Sequence, residues 1–299
     1  MAEESAPILR ITGVSKSFRR NPVLRKVSVQ AKAGQVIGLL GRNGTGKTTL
    51  FRLIHDLLDP DEGTIEVYGT RLDRSGRVRA VTGHVPDRPQ FHVRWTPREV
   101  LRWRARVIPG FDLERAGRWA SGLGLDLDKK WWRPSVGQAS KLAWVCACAH
   151  LPKLVLLDEP TNGLDHTARE FALSVLLPEL RATGAAVIIA NHHMAEVAPL
   201  LTQLWLLRDQ SLREVNSDFA QGRIRASALV SDYSRVPACL PPPIRRDGRY
   251  TVWLLNEVEL AQLSESSCVV GLAREPASTE EQMTELLRDL EASCETALT

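Results

Sequence analysis

The sequence predicts an α/β fold whose core is a parallel sheet covered on both faces, and three observations carry that expectation. The octet Gly41-Arg42-Asn43-Gly44-Thr45-Gly46-Lys47-Thr48 lies between the apolar run Val36–Leu40 and an amphipathic stretch from Thr48 to Leu58. Strand, glycine loop and helix in that order are the context in which such an octet acquires chemical meaning. Two further apolar runs, Leu154–Asp158 and Ala186–Ala190, are separated by a helical stretch. Unbroken runs of this kind are what strands buried on both faces require.

The remaining elements follow in chain order. Ile8–Val14 and Val27–Ala31 read as an opening antiparallel pair, and Gly63–Gly69 as a third alternating strand bounded by glycines. From about 88 to 150 the pattern turns helical and rich in Arg and Trp. Thr96-Pro97-Arg98-Glu99 is a helix start there, with a Thr cap, proline in the first turn and Glu three residues after the cap. After Asn216 the composition shifts, and Pro241-Pro242-Pro243 marks an extended segment. Tyr250–Leu255 and Cys268–Arg274 read as strands. A last helix capped by Ser278 follows, with Met283, Leu286, Leu287 and Leu290 on one face. The expectation is a nucleotide-binding domain over 1–215 and a small C-terminal α+β domain over 216–299.

The octet explains itself chemically. Its glycines let consecutive backbone N–H groups turn toward one anion, and the following helix adds the positive end of its dipole. Lys47 supplies a mobile full charge for phosphate oxygens, and Thr48 a hydroxyl for Mg²⁺. Asn43, Gly44, Thr45, Gly46, Lys47, Thr48 and Thr49 are therefore the phosphate-binding candidates. The run ending at Asp158-Glu159 places two carboxylates at a strand terminus. Asp158 is suited to holding the metal through water, and Glu159 to orienting an attacking water.

Composition excludes several classes. At 43% hydrophobic and 25% charged, the 299 residues have ordinary globular make-up. No segment reaches the roughly 18 consecutive apolar residues that a bilayer crossing needs. The N-terminus lacks a basic region followed by an apolar one, so a cytosolic chain is expected. The five cysteines show no metal-ligand spacing and read as reduced packing residues. A net charge of +4 permits acidic partners, yet no aromatic-and-basic strand motif supports nucleic acid binding.

Beyond the two carboxylates the chain continues as Pro160-Thr161-Asn162-Gly163-Leu164-Asp165, with Ser135-Val136-Gly137-Gln138 upstream and Asn191-His192-His193 downstream. In this order the motifs resemble the ATP-binding subunit of an ABC transporter: Walker A, Q-loop, signature, Walker B, D-loop and switch histidine, over about Ile8 to Asp209. The resemblance implies a P-loop NTPase core of RecA type with an antiparallel β subdomain and a helical insertion. It implies ATP and Mg²⁺ as cofactors, with Lys47, Glu159 and His192 serving hydrolysis. Phe18 matches the aromatic that stacks on adenine. Ser135, Gly137 and Gln138 match the loop that caps ATP held by a second subunit, and Asp165 the residue that crosses to that subunit.

Two motifs depart from the family pattern. Pro134 and Val136 stand where leucine and glycine are usual in the signature, and Asp87 replaces the Q-loop glutamine as a third metal candidate beside Thr48 and Asp158. Short stretches such as Ile108–Asp112 and Leu127–Lys130 resemble subunits paired with ABC-2-type export permeases. That implies a separate multi-span permease, a second ABC subunit and a place at the cytoplasmic face of the membrane. Trp95, Trp103, Trp119, Trp131 and Trp132, with Arg98, Arg102, Arg104 and Arg106, mark the insertion either as the docking groove or as buried rings beneath a basic face. A low-turnover regulatory subunit and a non-transport ATPase of the same family are the rival expectations.

Overall fold

The computed structural model describes residues 6–19, 21–92, 94–191, 194–215, 224–241, 243, 245–255 and 257–276. They fall into two units dividing after residue 215, with 195–199 grouped with the second.

In the first unit, β1 (Leu9–Phe18) pairs antiparallel with β2 (Asn21–Ala31), placing Leu9 opposite Ala31 and Ile11 opposite Val29. Both strands outrun the stretches expected from alternation. Burial alternates only in part of each, whereas backbone pairing continues to Phe18 and Asn21. β3 (Val36–Leu40) is buried at every position and leads through the glycine loop into α1 (Lys47–Ile54). β4 (Glu62–Val67) and the short β5 (Thr70–Arg71) complete a sheet of order β2-β1-β4-β5. α2 (Arg77–Val81) then delivers β6 (Thr82–Val85).

The helical insertion follows as α3 (Pro97–Val107), α4 (Leu113–Gly122) and α5 (Val136–Cys148). Thr96 caps α3 as its motif predicts: its side chain accepts from the Glu99 N–H while Glu99 accepts from the Thr96 N–H at 2.7 Å. β7 (Leu154–Asp158) comes next, then α6 (His166–Phe171), a wider π-helical turn over Ala172–Leu176, and α7 (Leu177–Ala182). Pro178 has no N–H to donate to the preceding turn, which accounts for the local widening. β8 (Ala186–Ala190), β9 (Gln203–Arg208) and β10 (Ser211–Val215) close the unit.

The second sheet has the order β10-β9-β3-β8-β7-β6 and is parallel except for the β9–β10 hairpin. β3, β7 and β8 lie side by side at its centre, so their apolar runs are covered on both faces. Leu50, Phe51, Leu53 and Ile54 of α1 join Leu39, Ile188 and Trp205 in the core beneath. Each such side chain contributes about 1.5–3 kcal/mol by leaving water. The carboxyl ends of β3 and β7 carry the glycine loop and the Asp158-Glu159 pair, where ligands of open α/β sheets bind.

The second unit is an antiparallel sheet of β11 (Ile224–Val230), β12 (Arg245–Asp247), β13 (Tyr250–Leu255) and β14 (Val269–Pro276), in the order β12-β13-β11-β14. α8 (Glu257–Ser264) packs Leu260 and Leu263 against Ala226, Trp253 and Leu255. The helix expected from Ser278 lies outside the described residues. Cys146, Cys148 and Cys268 are buried free thiols, whereas Cys239 is exposed and donates to Gln262 Oε1 at 3.3 Å, so it is not a packing residue. Burial pushes the Cys146 thiol up to about 12 and Cys148 higher still, leaving both unreactive.

Candidate nucleotide site

The loop between β3 and α1 is shaped by its glycines. Gly44 and Gly46 adopt φ of 80° and 110°. A Cβ on Gly46 would stand 2.6 Å from Val23 Cγ1, so the loop closes against β2 only with glycine there. α1 starts without a side-chain cap and without an acid in its first turn. Its leading N–H groups therefore face an anion site rather than an internal acceptor.

A cleft of about 280 Å³ opens over this loop. Asn43, Gly44, Gly46, Lys47, Thr48 and Thr49 form its floor, Phe18 and Val23 one wall, and Asp87, Asp158 and Glu159 the other. Thr45 turns its hydroxyl back to the Arg42 carbonyl at 2.9 Å and does not line the cleft. Phe18 is 44% exposed at the end of β1, out of the core, with the Lys16 ammonium over its ring at 5.7 Å. Val23 was not foreseen, because only the β1–β2 pairing brings it beside the loop.

Charge is concentrated at the inner end. Lys47 is buried and donates to the carbonyls of Gly41 at 2.5 Å and Arg42 at 3.2 Å. Desolvation pulls its pKa below the ordinary lysine value, opposed by the charges of Glu159 and Asp158. Asp158 accepts from the Thr48 hydroxyl at 2.7 Å. Burial raises its pKa; the Thr48 bond opposes this and the Asp87 charge adds to it. Glu159 is buried at φ 52°, and its N–H donates to the Ala190 carbonyl at 2.7 Å. A left-handed glutamate costs about 1–2 kcal/mol, a local strain of the kind that clusters at functional sites.

This donor set fits Mg²⁺. Thr48 and Asp158 present hard oxygens from facing elements, and Asp87 and Glu159 add carboxylates to the same cleft. Among the described residues no three His, Cys, Asp or Glu converge closely enough to hold a metal unaided. A cation here takes its remaining ligands from phosphate oxygens and water.

Ser135, Gly137, Gln138 and Asp165 are not brought to this cleft. Ser135 caps α5, accepting from the Gln138 N–H at 3.2 Å while Gln138 Oε1 accepts from the Ser135 N–H at 2.9 Å. Ser-x-x-Gln is thus also a capping box, a signal present in the sequence and overlooked there. Asp165 caps α6 and binds Lys141 Nζ at 2.6 Å, which holds its carboxyl below the usual range. Ser140 donates to the Asn162 carbonyl at 3.0 Å and the Trp144 indole to the Pro160 carbonyl at 2.9 Å, tying α5 to the loop after β7. His192 lies outside the described residues.

The tryptophans of the insertion divide. Trp119 and Trp131 are buried, and Trp119 donates to Glu179 Oε2 at 3.0 Å. Trp95 and Trp103 line a separate groove of about 430 Å³ with Phe91, His84 and Arg104. Arg98 pairs with Asp128, and Arg104 donates to the Cys146 carbonyl at 2.7 Å. Trp132 is exposed with Arg94 over its ring.

Comparison with known proteins accords with this geometry. The family described as ABC transporter matches residues 24–162. The ABC transporter ATP-binding protein YtrB of Bacillus subtilis (strain 168) is 30% identical over 70% of this chain and 71% of its own length. The bacitracin transport ATP-binding protein BcrA of Enterococcus faecalis is 26% identical over 76% of this chain and 79% of its own. A solved ATP-binding subunit of an ABC transporter superposes with a TM-score of 0.66 at 26% identity, covering 72% of this chain and 92% of that one. Phosphate loop, buried Asp158-Glu159 pair and relatives agree: the chain belongs to the ABC transporter family, as an ATP-binding subunit that hydrolyses ATP and partners a membrane permease component.

Proposed function

We propose that two cassettes, two copies of this chain or this chain and a relative, close around two Mg-ATP and drive a separate multi-span permease from the cytoplasmic face of the membrane. The observation that carries this reading is the division of the site. The cleft over the phosphate loop is lined without Ser135, Gly137 or Gln138, which supports a cap on the terminal phosphate supplied by a facing cassette. Lys47 neutralises charge on the transferring phosphoryl group, and Glu159 holds the attacking water in line. Magnesium, when bound, neutralises the same oxygens from the side of Thr48, Asp158 and Asp87. His192 is assigned to the terminal phosphate by its match to the switch histidine of the family. Loss of that phosphate removes what holds the cassettes together.

Export of a peptide, antibiotic or lipid-like molecule is the direction proposed, supported by the bacitracin transport name that BcrA bears. The groove of Phe91, Trp95, Trp103 and Arg104 is the proposed seat of the permease, since exposed aromatic rings beside arginine are the usual interface anchors. Exposure of Val136, at 63% beside the capping residues, favours a second reading, a slowly turning subunit that needs a more active partner. The test is the Glu159→Gln variant with ATP. A stable dimer by light scattering, of this chain alone or with a co-expressed relative, supports the sandwich, and a monomer at saturating nucleotide in both cases overturns it. Turnover of the wild-type homodimer separates the two readings.

A further inference from the structure

Asp87 is held at the cleft by a side chain from a distant loop. Asn162 Nδ2 donates to Asp87 Oδ1 at 3.0 Å, across 75 positions of sequence. Asn162 is held in turn. Its N–H donates to the Glu159 carbonyl at 3.0 Å, and its own carbonyl accepts from Ser140 on α5 at 3.0 Å. One residue, through its side-chain amide and its backbone, thus connects the turn that carries Glu159, the helix capped by Ser135 and the Asp87 carboxylate.

We propose that Asn162 is a positioning residue for Mg²⁺ recognition: its amide holds the Asp87 carboxylate toward the cation that accompanies the nucleotide. The chemistry requires such a partner. Asp87 is a third carboxylate in the cleft beside Asp158 and Glu159, and like charges gathered there repel one another. Its other oxygen, Oδ2, already faces the exposed Arg88 at 3.5 Å, and without Asn162 the half-exposed carboxylate would turn fully to that cation or to water. A neutral donor directs the group without neutralising it, so its charge stays available to the cation. Lysine in that place would cancel the charge, and aspartate would repel it.

The inference rests on the reading of Asp87 as a metal residue, and the experiment keeps the two apart. Binding of a fluorescent ATP analogue to the full-length chain is titrated in Mg²⁺ and in chelator, for the wild type, Asn162→Ala, Asp87→Ala and the double variant. Expected for Asn162→Ala is a loss of about 3- to 10-fold in the Mg²⁺-dependent affinity, the size of one charge-assisted hydrogen bond near the surface. Affinity in chelator stays unchanged, which also certifies the fold. The double variant is no weaker than Asp87→Ala alone, because the amide then has nothing to hold. Asn162→Asp is worse than Asn162→Ala. Full additivity of the two losses, or an equal loss in chelator, overturns the role of Asn162 while leaving Asp87 intact. Unchanged Mg²⁺ dependence in Asp87→Ala overturns the reading of Asp87 and the inference with it.

Discussion

Gly137 and Gly163 meet so closely that a Cβ built on Gly137 would stand 2.3 Å from the Gly163 carbonyl oxygen. The first turn of α5 and the loop after β7 are joined by backbone contact as well as by the Ser140, Lys141 and Trp144 side chains. Gly163 itself sits at φ 74°, where a side chain would add strain. These two loops therefore behave as one body.

Gly137→Ala tests this through its sign. In an open helix the change stabilises by about 0.5–1 kcal/mol. At Gly137 both neighbours are backbone and neither can step aside, so a loss of about 1–3 kcal/mol is expected. Gly117→Ala on α4 is the control, since nothing lies within 4 Å of the added carbon there. Denaturant unfolding of both variants decides the matter, and equal stabilisation of the two would contradict the close approach.

Lys47→Ala removes the buried ammonium at the end of the phosphate loop. Nucleotide affinity is expected to fall by at least about 100-fold, as for a desolvated charge pair with phosphate. Because Lys47 is held by carbonyls and strained by desolvation, thermal stability without nucleotide should fall little. Parallel melting and binding curves check this; a large stability loss with binding retained would argue for a structural lysine.

Trp103→Ala and Trp119→Ala should have opposite signatures. Trp119 is 3% exposed and anchors Glu179, so its removal is expected to cost about 3–5 kcal/mol. Trp103 is 47% exposed in the groove, and its removal should leave stability nearly unchanged while weakening recovery of the permease on co-purification. Undiminished recovery would place the docking surface elsewhere.

Acid should unfold the first unit through three histidines. Burial pushes His55 down to about 3 and His84 and His150 to about 4, and ring nitrogens on each lack a hydrogen-bond partner. Between the ordinary value near 6.5 and these values the unfolded chain binds protons that the folded chain refuses. Stability is therefore intact above about pH 6.5 and declines toward about pH 4, by up to roughly 3 kcal/mol for a single such histidine. Denaturant midpoints at about pH 7.5 and pH 5 measure the slope, and His150→Gln should flatten it. A midpoint constant across that range would show that the histidines are solvated.

Local patterns were legible wherever local chemistry dictates structure. Thr96-Pro97-Arg98-Glu99 starts a helix because cap, proline and glutamate act within one turn. Leu154–Asp158 and Ala186–Ala190 form central strands because unbroken apolar runs suit burial on both faces. β6, only Thr82–Val85, went unseen, since four residues beside a histidine carry no period. α8 went unseen for the related reason that Glu257–Ser264 lacks a clear apolar stripe. Among the tryptophans, sequence could not separate Trp119 from Trp103, since burial is settled by the packing of α4 against α5 and by the Trp119 bond to Glu179 rather than by residue type.

By itself the sequence determined the chemistry of the phosphate loop, from Asn43 through Thr49, and of the Asp158-Glu159 pair. Glycine, lysine and carboxylate at those spacings have few other uses. Only the tertiary structure decided which distant groups share that cleft. Pairing of β1 with β2 delivers Phe18 and Val23, the parallel register of β6 and β7, with Val85 opposite Leu157, ends both strands at the cleft, and the loop after β7 sets Asn162 against Asp87. Those meetings depend on strand order and register, which are properties of the whole packed sheet and leave no mark on any one stretch of chain.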